Sequence, residues 1–238
     1  MPPLRVFYGA LPCISVVVVW LALWLAPRAS YRILFTEQGV VELGTAFLFA
    51  VAAVSAVGLS RRSGHSSADR FRPFFALVAV GASFVALEEV SWGQHLFGWR
   101  SPDWFLTWNR QHETNVHNLL GNRVSEWFRT AAYVGSLLVA VALPLAVRRR
   151  PRSYEPSDWT FYLVPGRELV ILAILSLTAT LPNKLPGTPR VGGHLRELTE
   201  FYQAWAAVMY LAVLTYRRRE LFTRPAVLRE PRASAIQG

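Results

Sequence analysis

FFALVAVGASFVALEEVSWGQHLF, residues 74 to 97, is the stretch on which the fold turns. A helix needs about 20 residues to cross the hydrocarbon core of a bilayer. The uninterrupted apolar part, Phe74 to Leu87, is too short, so the segment spans only if it carries Glu88 and Glu89 into the membrane with it. Five further apolar runs of spanning length flank it: Leu4 to Ala26, Val40 to Leu59, Trp127 to Val147, Thr160 to Leu181 and Glu200 to Tyr216. The first reads as a retained anchor, because its apolar run is long for a signal peptide. The expected fold is therefore all-α: a polytopic transmembrane helix bundle of about six spans over residues 1–219, followed by a basic, poorly ordered cytoplasmic tail, 220–238.

Composition agrees with this. Of 238 residues 53% are hydrophobic and only 17% charged, with nine Trp and fourteen Phe, which is a membrane composition. The net charge of +10 comes from 24 Arg and one Lys. The arginines gather as RR, RRRPR and RRR beside the apolar runs, where they fix topology and attract anionic headgroups, so the footprint is not that of a nucleic-acid binder. With the N-terminus in the cytoplasm, fifteen basic residues fall on the cytoplasmic side and eight outside, and both termini are expected there. The lone Cys13 allows neither an intrachain disulfide nor a cysteine-based zinc site.

That orientation sorts the polar residues. Nine of fifteen acids, Glu37, Glu42, Glu88, Glu89, Asp103, Glu113, Glu126, Glu197 and Glu200, fall on the outer half, with four of the five histidines. A carboxylate at membrane depth costs a few kcal/mol, so such residues face the bundle interior, pair or take a proton. Along a continuous third helix Glu88 aligns with Ser91 and His95, and Glu89 with Trp92 and Gly93. The loop that follows is expected to hold a re-entrant or interfacial segment between spans three and four. Ser101 is placed as N-cap and Pro102 at the first position of a short helix, whose Trp104, Phe105 and Trp108 suit the headgroup belt.

Next comes NRQHETNVHN, residues 109 to 118. If it is helical, Glu113 and His117 share a face at i, i+4, a spacing that can chelate one metal ion. The second histidine falls one residue late for HExxH. In HLRELTEFY, residues 194 to 202, Glu197 and Glu200 again share a helix face. Glu113, His117, Glu197 and Glu200 thus form a candidate set for a divalent metal, zinc or iron. Glu88 or Glu89 would be general base, with Gln94 and Asn115 orienting a substrate or stabilising an oxyanion. Glu42, Ser91, Asn109, Gln111, Asn118 and Arg167 complete the expected polar site, Arg167 as a counterion.

Plainer readings stand beside these. Acids at a helix N-terminus are favoured by the macrodipole alone, and the asparagines and glutamines could satisfy the backbone of a loop folded back among helices.

EEVSWGQ at residues 88 to 94, followed by NRQHETNVHN, resembles the motif pair EEISWGQ and NxQxETNxHN of a family of bacterial polytopic membrane proteins of uncharacterised activity. The resemblance covers most of the membrane part, including TEQGVVE at the second span and the acidic pair opening the last. It implies that Glu88, Glu89, Ser91, Trp92, Gly93, Gln94, Asn109, Gln111, Glu113, Asn115, His117 and Asn118 belong to one site in a bacterial inner-membrane protein. His95 and His112 lie outside that pattern. A weaker likeness is to alkaline ceramidase-type membrane hydrolases: Ser91 and His95 have the four-residue spacing used there, but no HxxxH is present.

Three functions are open at this point. The first is a metal-dependent hydrolase acting on a lipid or lipid-linked substrate at the outer leaflet. The second is a proton-coupled transporter using Glu42, Glu88 and Glu89. The third is a non-catalytic membrane partner subunit whose polar network only fixes the fold.

Overall fold

The computed structural model describes residues 10–25, 34, 39–62, 71–109, 112–116, 119, 127, 130, 131, 134, 135, 138, 168–179 and 194–223. Among them the chain is helical and no strand occurs; Asn109 and Leu119 form an isolated antiparallel bridge. The main helices are α1 (Leu11–Leu25), α2 (Val40–Arg62), α3 (Arg72–Glu89), α4 (Gln94–Phe97), α5 (Asp103–Trp108), α6 (Glu168–Thr178) and α7 (His194–Thr223).

Local sequence accounts for several of these. Glu42 in the first turn of α2 meets the positive end of the helix dipole. The hydroxyls of Thr45 and Ser55 on that apolar helix donate back to the carbonyls of Val41 and Val51, at 2.9 and 2.8 Å. At the start of α3, Pro73 sits in the first turn, where its missing N–H leaves no gap in the ladder.

α2 packs against α3 and α7, and α7 against α6, which in turn meets α1. The seam among α2, α3 and α7 is built from small side chains: Ala52, Ala53, Ala56, Ala79 and Ala82 are buried beside Phe75, Leu211 and Leu214. Small residues let helix backbones approach closely, which is how helices associate where lipid removes the hydrophobic drive between them. A second cluster joins Val41, Leu169, Leu172, Leu198, Tyr202 and Met209. Large apolar side chains, meanwhile, point outward: Phe47, Val54, Leu77 and Val80 are all exposed.

α2, over Val40–Arg61, is long and apolar enough to cross a membrane, and 33% of its most apolar 18 residues are buried within the fold. Arg72–Glu89 and Ser91–Phe97 pass the same test as a pair, bent by 66°. The described residues thus hold one such helix, or two if the bent pair is one span. The expected run from Trp127 to Val147 lies almost wholly outside the described residues.

The third apolar run departs from its expected form. It is not one helix: α3 ends at Glu89, and Ser91, Trp92 and Gly93 take φ of 47°, 56° and 81° before α4 begins. Three successive left-handed residues end the right-handed helix, so the alignment of Glu88 with Ser91 and His95 on one helical face does not hold. Left-handed backbone costs about 1–2 kcal/mol for each non-glycine residue. Gly93 carries no such penalty. A Cβ there would lie 3.0 Å from the ring of Phe97, a tight contact that the exposed ring can relieve, so the cost of Gly93→Ala is mainly backbone strain. The expected result is a loss of about 1–3 kcal/mol, read as a lower thermal midpoint of the detergent-purified protein.

Candidate functional site

The break in the third run is held in place by side chains. Trp92 donates its indole N–H to Glu88 Oε1 at 2.6 Å, and the backbone N–H of Val116 donates to Glu88 Oε2 at 2.7 Å. One buried carboxylate therefore fastens the left-handed turn and the 112–116 segment together. Gln94 makes a second fastening, its Oε1 accepting from the Thr114 N–H at 2.8 Å and from the Ser101 hydroxyl at 2.9 Å.

Glu113 lies between these two points and is buried. Its Oε2 accepts from Ser91 Oγ at 2.6 Å and from Asn115 Nδ2 at 2.8 Å. Its Oε1 is 2.8 Å from His95 Nε2. Asn115 is held in turn, Asn109 Nδ2 donating to its carbonyl at 2.9 Å and to its Oδ1 at 2.8 Å. Hydrogen bonds to an ionised acceptor are about twice as strong as neutral ones. Four buried polar side chains, Glu88, Asn109, Glu113 and Asn115, are satisfied in this way. His95 reaches the surface, with 34% of its side chain exposed.

The 112–116 segment is a run of bends, with His112 at φ 57°, rather than a helix. The helical i, i+4 pairing of Glu113 with residue 117 is thereby overturned on the Glu113 side; His117 itself lies outside the described residues, as do Gln111, Asn118 and Arg167. Irregular backbone needs partners for its peptide groups, and Glu88 and Gln94 supply them to Val116 and Thr114. Ser101 is also reassigned. Pro102 takes the N-cap position of α5 without a side-chain bond, and the Ser101 hydroxyl lies 2.8 Å from Thr114 Oγ1 and 3.2 Å from the His112 carbonyl.

Glu42, Glu89, Glu197 and Glu200 form a neighbouring group. Glu42 opens α2, Glu89 ends α3, and Glu197 and Glu200 lie in the first turns of α7. The carboxylates of Glu200, Glu42, Glu197 and Glu88 are all close enough to Glu89 to repel its charge. Among the described residues no group of three or more His, Cys, Asp or Glu side chains could hold a metal ion. Glu113 in addition has both oxygens engaged. Of the expected ligand set, Glu113, Glu197 and Glu200 are described and His117 is not.

The structure brings together Glu88, Ser91, Gln94, Asn109, Glu113 and Asn115. Trp92, which the resemblance alone implied, joins them, and so do His95, Ser101 and Thr114, which sequence reasoning left out of the site. The i, i+4 spacing of Glu88 with Trp92 was the available signal for Trp92. His95 had its spacing to Ser91. No family model, curated protein or solved structure matches this chain.

Proposed function

We propose that this chain is a six-span protein of the bacterial inner membrane, with both termini cytoplasmic, that belongs with the EEISWGQ family and acts as a hydrolase on a lipid or lipid-linked substrate at the outer leaflet. The observation that carries the enzymatic reading is the pair His95 Nε2 and Glu113 Oε1 at 2.8 Å, with the other carboxylate oxygen fixed by Ser91 and Asn115. With Glu113 accepting the Nε2 hydrogen, the lone pair is left on Nδ1 of a ring that is 34% exposed. There His95 can take a proton from water as it attacks a substrate, with the buried carboxylate facing the imidazolium so formed. Glu88 is then a holding residue rather than the base, since both its oxygens are engaged.

The test works without naming the substrate in advance. Purified protein is reconstituted with a total bacterial lipid extract and the lipids are followed by mass spectrometry. Wild type is expected to deplete one lipid class and release a product, and His95→Gln, whose amide can still donate to Glu113, to do so about 10²–10⁴ times more slowly. Identical lipid profiles for wild type and variant would remove the reading.

A second reading rests on the acids around Glu89, which supports a proton-coupled carrier with Glu42, Glu89, Glu197 and Glu200 passing protons. Its mark is a proton flux in proteoliposomes that Glu89→Gln abolishes and His95→Gln leaves intact.

A further inference from the structure

We infer that the segment from Trp92 to Trp108 lies flat in the headgroup layer of the outer leaflet, and that the partner of its apolar face is the lipid surface itself. The inference rests on the membrane-spanning part of the reading above and adds where, and against what, the site is held.

The geometry begins with the 66° bend between α3 and the helical stretch after it. If α3 crosses the bilayer near its normal, the stretch Ser91–Phe97 runs closer to the membrane plane than to that normal. Along this stretch large apolar side chains are uncovered. Leu96 and Phe97 are 83% and 77% exposed, and Trp104 and Trp108 are also exposed. Trp104 and Trp108 stand at i, i+4 on one face of α5, while Phe105 on another face is buried. Each face of this short helix therefore has a different neighbour.

Charge sets the depth. Arg100 and Asp103, between the two apolar groups, face each other at 3.3 Å and are largely exposed. A pair of opposite charges amid tryptophan and phenylalanine suits the zone where lipid headgroups meet acyl chains, and not the hydrocarbon below it. Trp92 connects this surface to the site: its ring is partly exposed and meets Phe84 edge-on at 5.8 Å, while its N–H points inward to Glu88. The same backbone thus presents apolar side chains outward and His95 beside Glu113 at a level that headgroups occupy. α3 leads into the segment with exposed Leu77 and Val80, an apolar surface of the kind lipid covers.

Cys13 is the sole cysteine, so a Cys13→Ser background accepts single spin labels in the full chain. Labels are placed through Leu96→Cys, Trp104→Cys and Trp108→Cys, with Arg100→Cys for the charged rim and Val54→Cys and Leu77→Cys as reporters of the spans. In vesicles of phosphatidylcholine and phosphatidylglycerol, collision with oxygen, which partitions into lipid, is compared with collision with a nickel chelate, which stays in water. The expected result is an oxygen-to-nickel ratio several-fold higher at 96, 104 and 108 than at 100. Ratios at those three positions as low as at 100 overturn the inference, and so does shielding from both reagents, which would mean that a protein partner or a second copy covers the face. The span reporters separate the two levels. Lipid-like ratios at 54 and 77 with water-like ratios at 96, 104 and 108 sink only this inference, whereas water-like ratios at 54 and 77 sink the membrane reading itself.

Discussion

Glu113→Gln should fold and lose nearly all activity. The amide is almost the shape of the carboxylate, and this site can rearrange to accept it. Its oxygen can take the hydrogens of Ser91 Oγ and Asn115 Nδ2, which now meet Glu113 Oε2 at 2.6 and 2.8 Å. Its nitrogen then faces His95 Nε2, which must become an acceptor, and the ring hydrogen moves to Nδ1. Each of these partners keeps a hydrogen bond, but the charge that strengthens the bonds is gone, so the variant should fold with a loss of about 1–2 kcal/mol and a modestly lower thermal midpoint. Nδ1, however, now carries a hydrogen and has no lone pair with which to accept a proton. Holding an intact dyad in the wrong tautomer costs about 10⁴ in turnover elsewhere, and a loss of about 10³–10⁴ is expected here in the lipid conversion assay. A Glu113→Gln protein that is stable and also converts lipid at the wild-type rate would show that His95 is not the base. His95→Gln would share the defect, but only Glu113→Gln separates the tautomer from the presence of a ring.

Much of this architecture is written in the residues, although unevenly. The apolar runs at Val40 and Phe74 and the one closing the chain are recovered as α2, α3 and α7, because runs of that length with few charges leave little choice but helix. The convergence of Glu88, Ser91, Gln94, Asn109, Glu113 and Asn115 follows from a simple cost: polar groups among apolar helices must find one another. The break at Ser91 was not legible. Serine and tryptophan carry no left-handed signature, and Gly93 taken alone reads as a place for close helix approach. What drives the turn is non-local, namely a carboxylate 22 positions on from Ser91 and a peptide N–H 28 positions on from Glu88. Hydrogen bonds to charged groups contribute about 1.5–3 kcal/mol each, enough to offset two residues of left-handed strain. The same mechanism misled the reading of Ser101, whose place before a proline matched a helix cap while its hydroxyl had better partners in Gln94 and Thr114. Glu113 at i, i+4 from residue 117 presupposed a helix that the bends at 112–116 do not form.

Glu88→Gln should behave in the opposite way, because two of its partners, Trp92 and Val116, can act only as donors. Trp92 Nε1 and the Val116 N–H can only donate, and each now has one oxygen of Glu88 at 2.6 and 2.7 Å. An amide offers one acceptor group and one donor group, so whichever way it is turned, an N–H of the protein faces an N–H of the amide in a partly buried place. Leaving a buried donor unsatisfied costs about 1–3 kcal/mol, and the lost charge-assisted bond adds to it. The expected outcome is a destabilisation of about 2–4 kcal/mol, seen as a lower thermal midpoint in detergent. It should be accompanied by faster hydrogen exchange at the Val116 amide, because that N–H loses the carboxylate oxygen it donates to. Any loss of lipid conversion in this variant should follow the loosening of that segment and be partly recovered at low temperature, where the native arrangement is repopulated. Glu88→Gln and Glu113→Gln thus make the same chemical change at two carboxylates that serve one strained turn, and the hydrogen-bonding capacity of their partners decides which is structural and which is catalytic. Wild-type stability and exchange in Glu88→Gln would mean that the turn stands without its carboxylate, and the 112–116 segment would then need another anchor.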